Sequence, residues 1–298
     1  MPGGTAISRL DITEDKVYQG FLTKIKAETC STGRCFHCVL PVSNDAVLNG
    51  DIVYIAEPTA AKIKRNRGLI YFSDSSGIAP HTRALADEYA RAGYLTIVIN
   101  FWGRHQPIGQ SKEEIVPWDR NHPTGGAPSN VDRARMVDSA LDYLRLDRNC
   151  IKIGGVGYSG GVLPLMILLK ESPCRLAAAF TGHPTQVRRG DYRSIHQPLS
   201  IAQTWDDRFV PEQSRHEQEA ELIESVRMTD EEKVLVKSGR FRPRGCPWQI
   251  NLFSGVEHGF ASRLLDAGQM NINETYVKRA AFEQAVLWFE TYMPDVSI

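Results

Sequence analysis

The apolar positions of this chain fall into short, β-branched runs separated by stretches of helix length. Ile52–Ala56 and Gly68–Phe72 read as strands. Ala79–Ala92 reads as a helix, with Leu85, Tyr89 and small alanines on one face and Gly93 as its stop. Tyr94–Ile99 is a buried strand by composition and length. Gly103–Asn130 is polar and rich in Pro and Gly, a long loop of the kind that carries function in compact domains. Asn130 is suited to cap the next helix, in which Met136, Val137, Ala140, Leu141 and Leu144 recur at spacings of three and four. Cys150–Gly157 is the next strand and Gly161–Lys170 an apolar helix. Leu176–Thr181 and Leu199–Trp205 are two more strands, Glu212–Val226 is a charged helix, Pro247–Phe253 is a last strand, and Val277–Phe289 is a closing helix.

Strand–helix alternation of this kind predicts an α/β fold: a mostly parallel central sheet with crossover helices on both faces. The near-continuous apolar character of the strands agrees, because parallel strands are buried on both faces. In such sheets ligands bind beyond the carboxyl ends of the strands, so the residues just after each strand carry the chemistry. The reading is one domain over residues 1–298, with 1–50 as an N-terminal extension. Residues 212–245, a charged helix followed by the basic Lys237, Arg240, Arg242 and Arg244, read as a surface insertion, with a partial lid as the alternative.

Composition narrows the function. Thirty-five basic residues balance 35 acidic ones, and 42% of residues are hydrophobic. That balance argues against a nucleic-acid or anionic-membrane partner and fits an ordinary globular chain. No apolar stretch approaches the roughly 18 residues of a membrane span, and Met1–Asp11 has no signal-peptide core, so a cytoplasmic protein is expected. Six cysteines in a chain of this size do not form a disulfide framework. Cys30, Cys35 and Cys38, with His37, supply four candidate zinc ligands, but adjacent His37 and Cys38 point apart in most backbones, so structural thiols are the simpler reading.

The most informative segment is Ile151–Gly161, which contains Gly157-Tyr158-Ser159-Gly160-Gly161 between a strand and an apolar helix. This is the context of a nucleophile elbow, where a serine sits on a tight turn and the helix N-terminus faces the oxygen that becomes negative. A serine hydroxyl needs a base, and in such folds the order is serine, acid, histidine. Asp207, just after Leu199–Trp205, is the candidate acid, with Asp206 reading as a solvated loop carboxylate. His258, just after the last strand, is the candidate base and the only histidine beyond residue 216.

These residues carry a resemblance. Gly-x-Ser-x-Gly, then Asp207-Arg-Phe-Val-Pro211, then His258-Gly-Phe-Ala261, is similar to the dienelactone hydrolase family of α/β hydrolases, and so are Leu85–Tyr94 and Phe72–Gly77. The likeness runs from about Ile52 to Phe289 and points to the fungal branch. It implies an α/β-hydrolase fold and an enzyme that cleaves an ester, lactone or thioester with no cofactor or metal. It implies Ser159 as nucleophile, Asp207 as acid and His258 as base, with the backbone N–H groups of Gly160 and Ser75 as the oxyanion hole. Asp74 stands where bacterial members have a glutamate that contacts the nucleophile, and Arg263 stands near a substrate-carboxylate arginine, one residue further from the histidine. Trp102, His183 and Phe209 follow strands on the active edge and are candidate substrate contacts, with rim packing the alternative for the two aromatics and a capped loop histidine the alternative for His183. The best-known members use a cysteine nucleophile where this chain has Ser159, so it reads as a serine esterase; Asn100 is a separate departure, standing where the family commonly has aspartate. Fungal relatives act in specialised metabolism, where the same site could release a polyketide thioester, cleave a carbon–carbon bond or assist a cyclisation. A non-catalytic binding protein on the same scaffold is the remaining alternative. A homodimer is common for soluble enzymes, although nothing in the sequence marks an interface.

Overall fold

The computed structural model describes residues 43–59, 66–105, 116–117, 128–238, 245–263 and 271–294. The cluster of Cys30, Cys35, His37 and Cys38, most of the loop predicted at 103–130, and Arg240, Arg242 and Arg244 lie outside the described residues.

Ten strands are described. They are β1 (Asn44–Leu48), β2 (Asp51–Ala56), β3 (Arg67–Phe72), β4 (Leu95–Ile99), β5 (Arg104–His105), β6 (Val116–Pro117), β7 (Lys152–Tyr158), β8 (Ala178–Gly182), β9 (Leu199–Thr204) and β10 (Trp248–Phe253). The helices are α1 (Pro80–Arg91), α2 (Asn130–Asp142), α3 (Val162–Leu169), α4 (Glu212–Ser225), α5 (Asp230–Lys237) and α6 (Ile272–Tyr292). Eight strands form one sheet in the order β1-β2-β4-β3-β7-β8-β9-β10, and β5 pairs with β6 separately. From β4 to β10 every neighbouring pair is parallel, while β2 is antiparallel to both β1 and β4. The mostly parallel sheet expected from the sequence is therefore present, with an antiparallel hairpin at one edge. β1 falls inside the stretch read as an N-terminal extension, so the sheet begins before residue 50.

The helices cover both faces, and alternation along each strand divides the core between them. Ile70 and Phe72 of β3, with Ile97 and Ile99 of β4, face Val137, Ala140 and Leu141 of α2 and Val162, Leu165 and Leu169 of α3. Leu69, Tyr71 and Val98 face the other way, toward Leu85 and Tyr89 of α1 and Val277, Ala281 and Phe289 of α6. A side chain of this kind, fully buried, contributes about 1.5–3 kcal/mol by leaving water. Helix α4 is anchored to the body through Leu222, which joins the core on the α2–α3 face.

Local chemistry shifts several boundaries. Helix α2 is capped by Ser129 rather than Asn130: Ser129 sits in extended backbone, its hydroxyl accepts from Asp132 N–H, and Asp132 returns the bond in a capping box. Helix α6 starts at Ile272 rather than Val277, with Asn271 accepting from Asn273 N–H as its cap. Strand β7 continues to Tyr158, one residue short of the serine.

Candidate active site

The sheet order sets the site. Phe72 of β3 pairs with Gly157 of β7, and Tyr158 of β7 pairs with Gly182 of β8. Ser159 therefore leaves the sheet between the loop after β3 and the loop after β8. Its φ is +50°, left-handed backbone that a non-glycine residue enters at a cost of about 1–3 kcal/mol. The turn closes because glycines flank it. A Cβ on Gly157 would lie 2.8 Å from the Gly161 carbonyl oxygen, and one on Gly161 would lie 2.2 Å from the Phe72 oxygen. Ser159–Gly161 form a single 3₁₀ turn that leads into α3.

The Ser159 hydroxyl lies 2.9 Å from Nε2 of His258, 99 residues away in the chain. Nδ1 of the same ring lies 2.7 Å from Oδ2 of Asp207, whose side chain is fully buried. The other carboxylate oxygen of Asp207 accepts the Phe209 N–H at 2.9 Å, so the carboxylate is fixed at both ends. Val210 N–H to the Asp207 carbonyl closes the turn that presents the acid. Asp206, by contrast, is exposed. The two loops are tied together, since the Thr204 hydroxyl at the end of β9 donates to the Val256 carbonyl at 2.7 Å. An imidazole bridging a buried carboxylate and a serine hydroxyl in this way has the geometry a general base needs to take the hydroxyl proton. Among the described residues no group of three or more His, Cys, Asp and Glu is placed to hold a metal ion.

The other predicted residues take several positions. Trp102 covers Gly160: a Cβ there would lie 3.1 Å from the indole Cζ2, and the indole N–H donates to the Ser73 carbonyl at 3.0 Å. Phe209, 55% exposed, packs edge-to-face on His258 at 4.7 Å between centroids, and the Arg208 guanidinium sits over its ring at 4.7 Å. Ser75 is exposed in the turn after β3.

His183, a candidate for either a substrate contact or a capped loop histidine, is fully buried and packs on His258, with ring centroids 4.8 Å apart in an edge-to-face contact. Its φ is +39°, its Nδ1 has no hydrogen-bond partner among the described residues, and Ser262 Oγ stands 3.5 Å from Nε2. Burial, then the nearby charge of His258, holds its pKa well below the ordinary histidine value, so it is neutral. Arg263 is half exposed and 3.9 Å from Glu257, while the Lys278 ammonium donates to its carbonyl.

Asp74 does not reach toward Ser159 by any described bond. Its Oδ2 lies 2.9 Å from His81 Nε2, and its Oδ1 accepts Ser76 N–H at 2.8 Å. Burial alone would raise its pKa, but His81 and the Ser76 N–H outweigh it and hold the carboxyl at about 2. The sequence reading missed His81. Its position in the first turn of α1, seven residues after Asp74, is visible in the sequence, but only the fold of the 74–77 turn shows that the two meet. Both side-chain amide atoms of Asn100 are buried without a hydrogen-bond partner among the described residues.

Comparisons with known proteins identify the family and the fold. Residues 52–293 match the dienelactone hydrolase family. Hydrolase pyvD of Aspergillus violaceofuscus is 29% identical, over 91% of this chain and 99% of its own. Hydrolase tropI of Talaromyces stipitatus is 29% identical, over 92% of this chain and all of its own. The fold is shared with a putative dienelactone hydrolase from Klebsiella pneumoniae, at a TM-score of 0.58 and 14% identity over 84% of this chain and 99% of that one. No helix among the described residues is long and apolar enough to cross a membrane. With the family match running from β2 to the end of α6, this chain is a hydrolase and belongs to the dienelactone hydrolase family.

Proposed function

We propose that the chain is a serine hydrolase that cleaves a small-molecule ester, lactone or thioester through an acyl-enzyme on Ser159. The observation that carries this is the continuous line from Ser159 Oγ through both nitrogens of His258 to the buried Asp207, with contacts of 2.9 and 2.7 Å. As Ser159 attacks the carbonyl, His258 takes its proton, and Asp207 holds the imidazole tautomer and stabilises its positive charge. The oxyanion is received by the N–H groups of Gly160 and Ser75, a contribution of about 3–4 kcal/mol per donor. His258 then protonates the leaving group. Water, activated by the same imidazole, releases the acid and restores Ser159. Trp102, Phe209 and Arg263 line the approach to that carbonyl.

The test is turnover of an aryl-ester and acyl-thioester panel by the wild type and by Ser159→Ala. The variant is expected to lose all turnover above background while keeping its fold. Undiminished turnover would overturn the proposal. Preference within the panel separates simple ester hydrolysis from thioester release in specialised metabolism.

A further inference from the structure

The mechanism uses neither Asp74 nor His81, yet the two side chains meet at 2.9 Å in the loop after β3. Three bonds converge on Asp74. Its Oδ2 meets His81 Nε2 at 2.9 Å, its Oδ1 accepts Ser76 N–H at 2.8 Å, and its backbone carbonyl accepts Gly77 N–H at 3.0 Å. Together they close the 74–77 turn and fasten it to the first turn of α1. The far side is held as firmly. Arg104 Nη1 donates to the Ser75 carbonyl at 3.0 Å, and Ile78 N–H donates to the Arg104 carbonyl at 2.9 Å. Gly77 has a φ of +72°, and a Cβ on it would stand 2.0 Å from that same carbonyl, so only glycine fits this close approach. The carboxylate sits 18% exposed and His81 20% exposed, so the pair is shielded enough to hold its geometry.

The peptide N–H groups in this turn divide sharply. Those of Ser76 and Gly77 are engaged, whereas that of Ser75 takes no hydrogen bond among the described residues and its residue is exposed. An N–H left open on a turn held through the Asp74 and Ser75 carbonyls and the Ser76 and Gly77 N–H groups suits a preorganised donor, because the donor then does not reorganise when charge develops. The Trp102 indole bond to the Ser73 carbonyl fixes the residue just before the turn.

We propose that Asp74 and His81 are positioning residues for the oxyanion hole, holding the Ser75 peptide where its N–H meets the developing negative charge. This rests on the serine-hydrolase reading above. It differs from the expectation that Asp74 touches substrate: both oxygens of Asp74 are occupied by the scaffold, so its effect passes through Ser75.

The experiment uses the full chain carrying His81→Leu, which keeps bulk and removes the bond, His81→Gln, which retains a donor, and Asp74→Asn. The readouts are kcat and KM for an aryl ester. Alongside them are Ki for a trifluoromethyl ketone, which adds to the serine as an oxyanion, and for the matching methyl ketone, which does not. Loss of an oxyanion donor costs roughly 10²–10³-fold, and a displaced one costs less. His81→Leu is therefore expected to lower kcat about 10–100-fold with KM within about twofold. It should weaken the trifluoromethyl ketone by the same factor and leave the methyl ketone unchanged. His81→Gln should recover most of this, and Asp74→Asn should repeat the pattern more weakly, which keeps the test open where His81→Leu fails to fold. A KM effect with unchanged kcat, or equal loss for both ketones, would overturn the assignment. Fluorophosphonate labelling of the wild type separates the two levels. A chain that labels but whose His81 and Asp74 variants keep full ketone affinity loses only the positioning role, and a chain that never labels loses both.

Discussion

Gly161 is the tightest point of the elbow, and its replacement by alanine tests the site through the backbone alone. The new Cβ would lie 2.2 Å from the Phe72 oxygen and 2.6 Å from the Ser73 oxygen. Both are main-chain atoms with no rotamer to retreat into. Restoring a tolerable separation of about 3.2 Å takes about 1 Å of relative movement between the elbow and the end of β3. Those are the two segments that carry Ser159 and Gly160 on one side and Ser75 on the other. A misplacement of about 1 Å costs about 10²-fold in rate, or about 2.7 kcal/mol of barrier. The overpacking itself costs about 1–3 kcal/mol of stability, which in a chain of this size lowers Tm by roughly 2–4 °C per kcal/mol. Gly160→Ala is the control, because its Cβ meets only the Trp102 ring edge at 3.1 Å, and that side chain yields by a few tenths of an ångström. The assay is kcat/KM on an aryl ester, with Tm measured alongside. Gly161→Ala should fall about a hundredfold and Gly160→Ala less than about tenfold. A Gly161→Ala enzyme with wild-type kcat/KM, or one less affected than Gly160→Ala, would refute the reasoning.

Other predictions follow from the same contacts. Asp207→Asn should lower kcat by about 10⁴-fold with the fold intact, because the amide favours the wrong tautomer of His258; a loss under about tenfold would count against Asp207 as the acid. Asp74, held at about 2 against an ordinary 3.8, contributes stability that is present above about pH 4 and lost as pH falls toward 2. In acid unfolding, Asp74→Asn should remove about 2 kcal/mol of that dependence, and an unchanged slope between pH 4 and 2 would contradict it. Burial pushes the Cys150 and Cys246 thiols up to about 11, so peptide mapping after iodoacetamide at pH 8 should find both unmodified in the folded chain and modified after denaturation.

The elbow was legible in the sequence because its requirements are local: a strand, three closely spaced glycines and an apolar helix fit within some twenty residues. Ser159, Asp207 and His258 were legible as a set, since each lies just past a strand and the strands could be recognised by their apolar runs. Their mutual contacts are non-local and depend on the strand order. The antiparallel edge escaped notice because Asn44–Leu48 has only two or three apolar residues and is half exposed, so it lacks the signature of a buried strand. The cap at Ser129 turned on a capping box with Asp132, a side-chain preference that the apolar periodicity of α2 does not report. His183 and Asp74 both follow strands of the parallel sheet, as does Ser159. Which way each side chain points was not readable, because a left-handed φ at one and a four-residue turn at the other decide it. His81 belongs to the same class, since nothing in its neighbours distinguishes a surface histidine in a first helical turn from one that closes on a carboxylate.

The central claim is that Ser159 becomes acylated with His258 as its base, and active-site labelling tests it most directly. A fluorophosphonate probe is incubated with the wild type, Ser159→Ala and His258→Ala, followed by intact mass and peptide mapping. One adduct per chain is expected in the wild type, on the peptide containing Ser159. None is expected in Ser159→Ala, and labelling in His258→Ala should be slower by orders of magnitude. An adduct on another residue, or undiminished labelling of Ser159→Ala, would contradict the account.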